Sequence, residues 1–156
     1  MKRSFALALL GLAFATPAQA RPVDAARVGG VSFKQTHVPA DVVKMIRAAK
    51  RINTKPYVYG GGHGSFDAAA YDCSGSVSYV LNAAGLLASP MASGGLAAWG
   101  APGPGKWVTV YANCGHAWMT IGKRRFDTIA LKQTGARLTG AAASTGGYVA
   151  RHPVGL

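Results

Sequence analysis

Cys73 lies in Tyr71-Asp72-Cys73-Ser74-Gly75, and His116 follows well downstream in Gly115-His116-Ala117-Trp118, where a run with strand-like alternation begins. A thiol and a distant imidazole are the two halves of nucleophilic acyl transfer: the thiolate attacks a carbonyl and the imidazole moves the proton. Asp72 is a strong helix N-cap, and Val77, Val80, Leu81 and Ala84 recur on one face behind Cys73, so the spacing predicts a helix headed by the thiol. Near the positive end of a helix dipole a thiol's pKa falls. The free N–H groups there can also hold an oxyanion, a contribution of roughly 3 to 4 kcal/mol per donor. The competing reading of Cys73 is an inert buried cysteine.

His116 is the matching base. With side chains alternating, His116, Trp118 and Thr120 share one face of their strand, and the more apolar Ala117, Met119 and Ile121 share the other. A histidine base needs a third group to hold its tautomer. If the loop after Ile121 has an even number of residues, Asp127 falls on the His116 face; an odd loop puts Thr128 there instead. Asp127 is favoured because a carboxylate also stabilises the imidazolium, and His152 is the outside alternative. Asp127 has a second reading as a solvated partner of Arg124 or Arg125.

The elements that position these groups follow from periodicity. Residues 40–52 carry Val42, Val43, Met45, Ile46, Ala49 and Ile52 at helical spacing, with Asp41 in the first turn and Asn53 and Pro56 as the stop. Pro-Tyr-Val-Tyr-Gly-Gly-Gly-His-Gly over 56–64 passes into a glycine loop. No Lys-Ser or Lys-Thr follows it, which argues against a phosphate-binding loop. Gly85 stops the second helix, and 86–105 is a Gly, Pro, Ser and Ala-rich loop with one helical turn near 96–99. Period-two patterns then predict strands at 107–111, 116–121, 125–129 and 148–152, with Gly122-Lys123 as a tight hairpin turn. Helices first and strands last is an α+β order, one antiparallel meander sheet with helices on a face.

The first residues have Lys2 and Arg3, an apolar run, and Ala18-Gln19-Ala20, the pattern of a secretory signal peptide over residues 1–20. That run is too short to span a bilayer and no later stretch approaches ~20 apolar residues, so an exported protein without membrane insertion is expected. Residues 21–55 read as an extended lead and the first helix, folding as one domain with 56–156. The chain has 17 Lys+Arg and 5 Asp+Glu; removal of Lys2 and Arg3 with the leader takes the formal charge from +12 to +10. The basic residues are scattered and lack the aromatic interleaving or zinc-finger pattern of nucleic-acid binders, so an anionic cell-envelope polymer is the expected partner.

Two cysteines in an exported protein ordinarily suggest a disulfide. A Cys73–Cys114 bond would block the nucleophile, so the enzyme reading needs them reduced or Cys114 a bystander. Strand alternation puts Cys114 on the His116 face, where it would confer redox sensitivity. A zinc site drawn from Cys73, Cys114, His116 and His63 or His152 is disfavoured, since the Cys-x-His pair is too tight for usual ligand spacing. No metal or cofactor is expected.

Pro56-Tyr57-Val58-Tyr59-Gly60-Gly61, then Asp72-Cys73-Ser74-Gly75, then Gly115-His116 on a strand, is an ordered set that resembles the NlpC-type cell-wall cysteine peptidases, papain-like enzymes that cut peptidoglycan stem peptides. The resemblance runs from Pro56 to about Thr128. It implies a papain-like fold, Cys73 as nucleophile and His116 as base, with Tyr57 beside the thiol and Asp72 and Ser74 in contact with the peptide stem. Two departures stand out. Gly103-Pro104-Gly105-Lys106-Trp107 replaces the family's Asp-Leu-x-Pro-Gly-Asp-like segment, and Asp127 or Thr128 stands where the family usually has a second histidine. The alternative to an enzyme is a basic cell-wall-binding module of the same fold without turnover.

Overall fold

A computed structural model describes residues 27–28, 30–32, 37–140 and 142–156 of the chain. The expected leader over 1–20 lies outside the described residues, as does most of the lead. What is described of the lead is a short ladder, β1 (Arg27–Val28) against β2 (Val31–Ser32), followed by residues 37–39.

Helix α1 (Ala40–Arg51) forms where the apolar period requires it, with Asp41 in its first turn and Lys50 and Arg51 in its last, charges that suit the helix dipole at both ends. Its buried stripe of Val42, Met45, Ile46 and Ala49 packs on α2 (Cys73–Ala83), which buries Val77, Val80 and Leu81. Asp72 caps α2 through a bond from Gly75 N–H at 2.7 Å, and Gly85 supplies the positive φ of 74° just past the end. The helical turn in the following loop, α3, falls at Ser93–Leu96, slightly earlier than the composition suggested.

The sheet contains β3 (Ala101–Pro102), β4 (Val108–Ala112), β5 (Ala117–Ile121), β6 (Arg124–Phe126), β7 (Leu138–Thr139) and β8 (Val149–His152), in the order β3-β8-β4-β5-β6-β7, every pair antiparallel. The meander accounts for β4 to β7. The last strand departs from it by returning to the free edge of β4, whose ladder groups would otherwise be exposed. One face carries Val108, Val110, Ala112, Ala117, Met119, Ile121 and Phe126 into the core against α1 and α2. Each such side chain contributes about 1.5–3 kcal/mol of burial. Fold class is thus α+β and papain-like, helices on one face of an antiparallel sheet.

One expected strand is shorter than the pattern implied. Arg125 to Ile129 reads as β because Thr128 and Ile129 are β-branched, but β6 ends at Phe126 and a helix, α4 (Thr128–Thr134), begins. Asp127 is extended (φ −159°, ψ 143°) and accepts a bond from Ile129 N–H at 2.9 Å, an N-cap; Gly135 closes the helix at φ 79°.

Candidate active site

Cys73 is the first residue of α2, half-buried, and lines one cleft together with His116. His116 immediately precedes β5, in the hairpin loop that joins it to β4. Asn113 shapes that loop: its Oδ1 accepts from Gly115 N–H and His116 N–H, both at 2.9 Å. The turn after Ile121 is the two-residue Gly122-Lys123, with Gly122 at φ 58°. Extending the β5–β6 register by one residue sets Asp127 across from Trp118, hence on the His116 face. His116 Nε2 lies 2.9 Å from Asp127 Oδ1. Nδ1 is therefore the ring nitrogen left for the sulfur.

Asp127 is held from four directions. Oδ1 takes His116 and the Ile129 N–H, and Oδ2 takes Arg125 Nε at 2.9 Å together with Arg125 Nη2. The carboxylate thus pairs with Arg125 and with His116 at once. Thr128 follows it as the first residue of α4, and His152 faces away to the Gly103 carbonyl, 2.9 Å from Nδ1.

Electrostatics follow from this geometry. Burial pushes the Cys73 thiol up, but the His116 and Ala117 hydrogen bonds and the imidazolium charge outweigh it, and the net shift is down. Burial pulls His116 down, yet its bonds to Asp127 and to Cys73 push it up to about 9. Burial raises Asp127, and His116, the Ile129 N–H and Arg125 bring it below the ordinary carboxylate range. Thiolate and imidazolium therefore coexist between the depressed thiol value and about pH 9. Alkylation of Cys73 is expected to begin below the ordinary cysteine range and to persist above pH 9. Acyl transfer by such a pair would need the imidazolium proton as well, so a kcat/KM measured for it is expected to rise over the same acidic limb and fall through about pH 9.

Two clefts share Cys73 in their lining. One, of about 410 Å³, is lined by Tyr57, Gly115, Thr128, Ile129, Leu131 and Lys132 with Cys73 and His116. The other, of about 380 Å³, holds Tyr59, His63, Asp72, Ser74, Ser93 and Cys114 and shares Tyr57, Cys73 and Gly115. Tyr57, 50% exposed, stands between them, and burial and the charges of Cys73 and Asp72 raise its pKa. Asp72 is only 6% exposed and its oxygens are already engaged. Oδ1 takes Gly75 N–H and Ser74 Oγ, Oδ2 takes Gly60 N–H, and His63 Nε2 lies 3.1 Å from Oδ1 and from Ser74 Oγ. So a second imidazole–carboxylate pair faces the sulfur's other cleft.

Cys114 is exposed in the β4–β5 hairpin loop, past the end of β4 at Ala112, so strand alternation does not decide which way it faces. It lines the second cleft as a free thiol, as Cys73 does. Among the described residues no group of three or more His, Cys, Asp or Glu could hold a metal ion, so the zinc set does not assemble. No described helix is long and apolar enough to cross a membrane.

Gly75 is required by a close approach. A Cβ there would overlap the Gly61 carbonyl oxygen, which also accepts from Asp72 N–H at 3.0 Å. Gly75→Ala is expected to cost about 1–3 kcal/mol in a thermal melt and to slow iodoacetamide labelling of Cys73 by displacing the 60–64 loop and the Asp72 cap.

A thiol heading a helix, faced by an imidazole at the mouth of a packed antiparallel sheet, is the papain-like arrangement. No protein-family model matches the sequence, and no curated protein matches it. Among solved structures the chain is similar to Rv1477, described as a hypothetical invasion protein of Mycobacterium tuberculosis, at 22% identity and a TM-score of 0.51. The similarity covers 74% of this chain and 65% of that one, so the chain spans under two thirds of that protein's length. The likeness is one of fold.

Proposed function

We propose that the chain is an exported, NlpC-type cysteine peptidase that hydrolyses amide bonds in peptidoglycan stem peptides. The observation that carries this reading is that Cys73 and His116 line one cleft while His116 Nε2 is bonded to Asp127, with Cys73 also lining a second cleft. In the proposed reaction the Cys73 thiolate adds to an amide carbonyl. The oxyanion faces the Cys73 and Ser74 N–H groups, which precede the intrahelical ladder. Collapse breaks the C–N bond as His116 Nδ1 gives its proton to the leaving amine, forming a thioester. Water then attacks the thioester with His116 accepting its proton; the thiolate leaves and the carboxylic acid is released. No cofactor enters these steps.

The cleft lined by Ile129 and Leu131 supports the substrate class. Its walls are Ile129, Leu131, Thr128 and Tyr57 with Lys132 as a cation, a lining suited to aliphatic residues that carry carboxylates, as stem peptides do. The basic composition supports retention on anionic envelope polymers, with the product acting outside the cytoplasm. The +10 charge expected after leader removal, together with Asp127 where the family usually has a second histidine, also favours a second reading, a wall-binding module that keeps the fold without turnover.

Incubation of the purified protein with isolated muropeptides tests both. Expected are new amino termini by mass spectrometry, lost after iodoacetamide modification that maps to Cys73. An ordinary thiol titrating near 8.5, with wall sedimentation but no cleavage, would establish the binding module instead.

A further inference from the structure

We infer that Arg137 is the positioning residue that holds the nucleophile and the third member of the site in register, a role that rests on the reading of Cys73 as an activated thiol. Arg137 lies between α4 and β7 and is 0% exposed. Its guanidinium donates to five acceptors. Nε reaches Ser76 Oγ at 3.0 Å; Nη1 reaches the Ile52 carbonyl at 2.8 Å and that of Lys55; Nη2 reaches the carbonyls of Tyr71 at 3.1 Å and Pro56 at 3.3 Å. Its backbone carbonyl accepts from Asp127 N–H at 3.0 Å, and its N–H donates to the Asn53 carbonyl at 2.9 Å.

These anchors are selective. Pro56 precedes Tyr57, Tyr71 lies two residues before Cys73, Ser76 is in the first turn of α2, and Asp127 is bonded directly. Tyr71 N–H also bonds to the Pro56 carbonyl at 3.1 Å, so the guanidinium seals a junction where the two strips flanking the site already meet. Among the described residues no carboxylate pairs with it; carbonyl dipoles and one hydroxyl carry the full compensation of a buried cation. Burial lowers its pKa to about 10, which leaves it charged at neutral pH. Only a planar fork can meet acceptors on several sides at once, and lysine lacks that geometry. The guanidinium, which touches neither the sulfur nor the imidazole, thereby ties the α2 head to the strip before Tyr57, and the main chain of the same residue ties both to Asp127, whose Oδ1 meets His116.

The test compares Arg137→Lys with Met45→Ala, a core truncation on α1, in the purified chain at a temperature where circular dichroism shows the wild type folded. Iodoacetamide labelling of Cys73 is followed across pH, and kcat and KM are measured on muropeptides. Arg137→Lys is expected to label at least tenfold more slowly at neutral pH, with its thiolate titration moved up toward the free-cysteine range, and to lose kcat with KM little changed. Met45→Ala should melt earlier yet keep the wild-type titration. A folded Arg137→Lys with the wild-type titration overturns the inference, and so does an Arg137→Lys that fails to fold, which would make the residue a scaffold requirement alone. A wild-type thiol that titrates as an ordinary cysteine refutes instead the reading on which the inference rests.

Discussion

Cys73→Ala should abolish hydrolysis of muropeptides, lowering kcat by at least about 10³-fold, because a covalent route disappears with its nucleophile and only substrate binding and oxyanion donors remain. The loss is chemical and not structural. The side chain is small and only half-buried, and the Asp72 cap to Gly75 N–H does not involve the sulfur. Stability should therefore move by no more than about 1 kcal/mol. Chromatographic release of cleaved stems and a thermal melt read the two effects separately. A residual rate within tenfold of the wild type would remove Cys73 from the mechanism.

Asp127→Ala should be the next most damaging change, with kcat/KM down by roughly 10²- to 10³-fold. Three functions of one carboxylate go together: orientation of His116 Nε2, the electrostatic support of its proton, and the cap on α4. Without Asp127 the imidazole loses the hydrogen bond and charge that raise its pKa, so the alkaline limb should move from about 9 down toward the ordinary histidine value. Asp127→Asn separates these effects. An amide oxygen still accepts from Nε2 and from Ile129 N–H, so the rate should fall less than in the alanine variant while the alkaline limb still moves down. Stability should fall in both, by about 3–5 kcal/mol, because Arg125 is left as a buried cation without its partner. An Asp127→Ala profile that keeps its limb at about 9 would show that another group sets the His116 pKa.

Much of this site is written locally. Asp72 followed by an apolar stripe announces a helix with Cys73 at its head, and the alternation after His116 announces a strand. Parity does the rest, since a two-residue turn forces Asp127 to the His116 face whatever the remaining chain does. Other parts are invisible for physical reasons. Thr128 and Ile129 suit a strand as well as a helix, and only the capping bond that Asp127 accepts from Ile129 N–H decides between them; Gly135, with Lys132 in the last turn, is the available signal for that helix. Arg137 looks like any surface arginine because four of its five acceptors are main-chain carbonyls, which carry no sequence signature. His63 sits in a glycine run, and its pairing with Asp72 depends on how that loop folds back over α2. The return of β8 to β4 is likewise a long-range choice that no local pattern encodes.

The double duty of Asp127 Oδ1 narrows what evolution or an engineer can place at that position. A replacement has to start a helix and aim an imidazole with the same atom, which restricts the choice to short side chains bearing an oxygen acceptor. A longer or bulkier group with adequate basicity would satisfy the proton chemistry and still unwind the first turn of α4, taking Ile129 and Lys132 out of the cleft wall with it. Under the proposed function, selectivity for substrate and competence for proton transfer would thus not be independently adjustable in this chain.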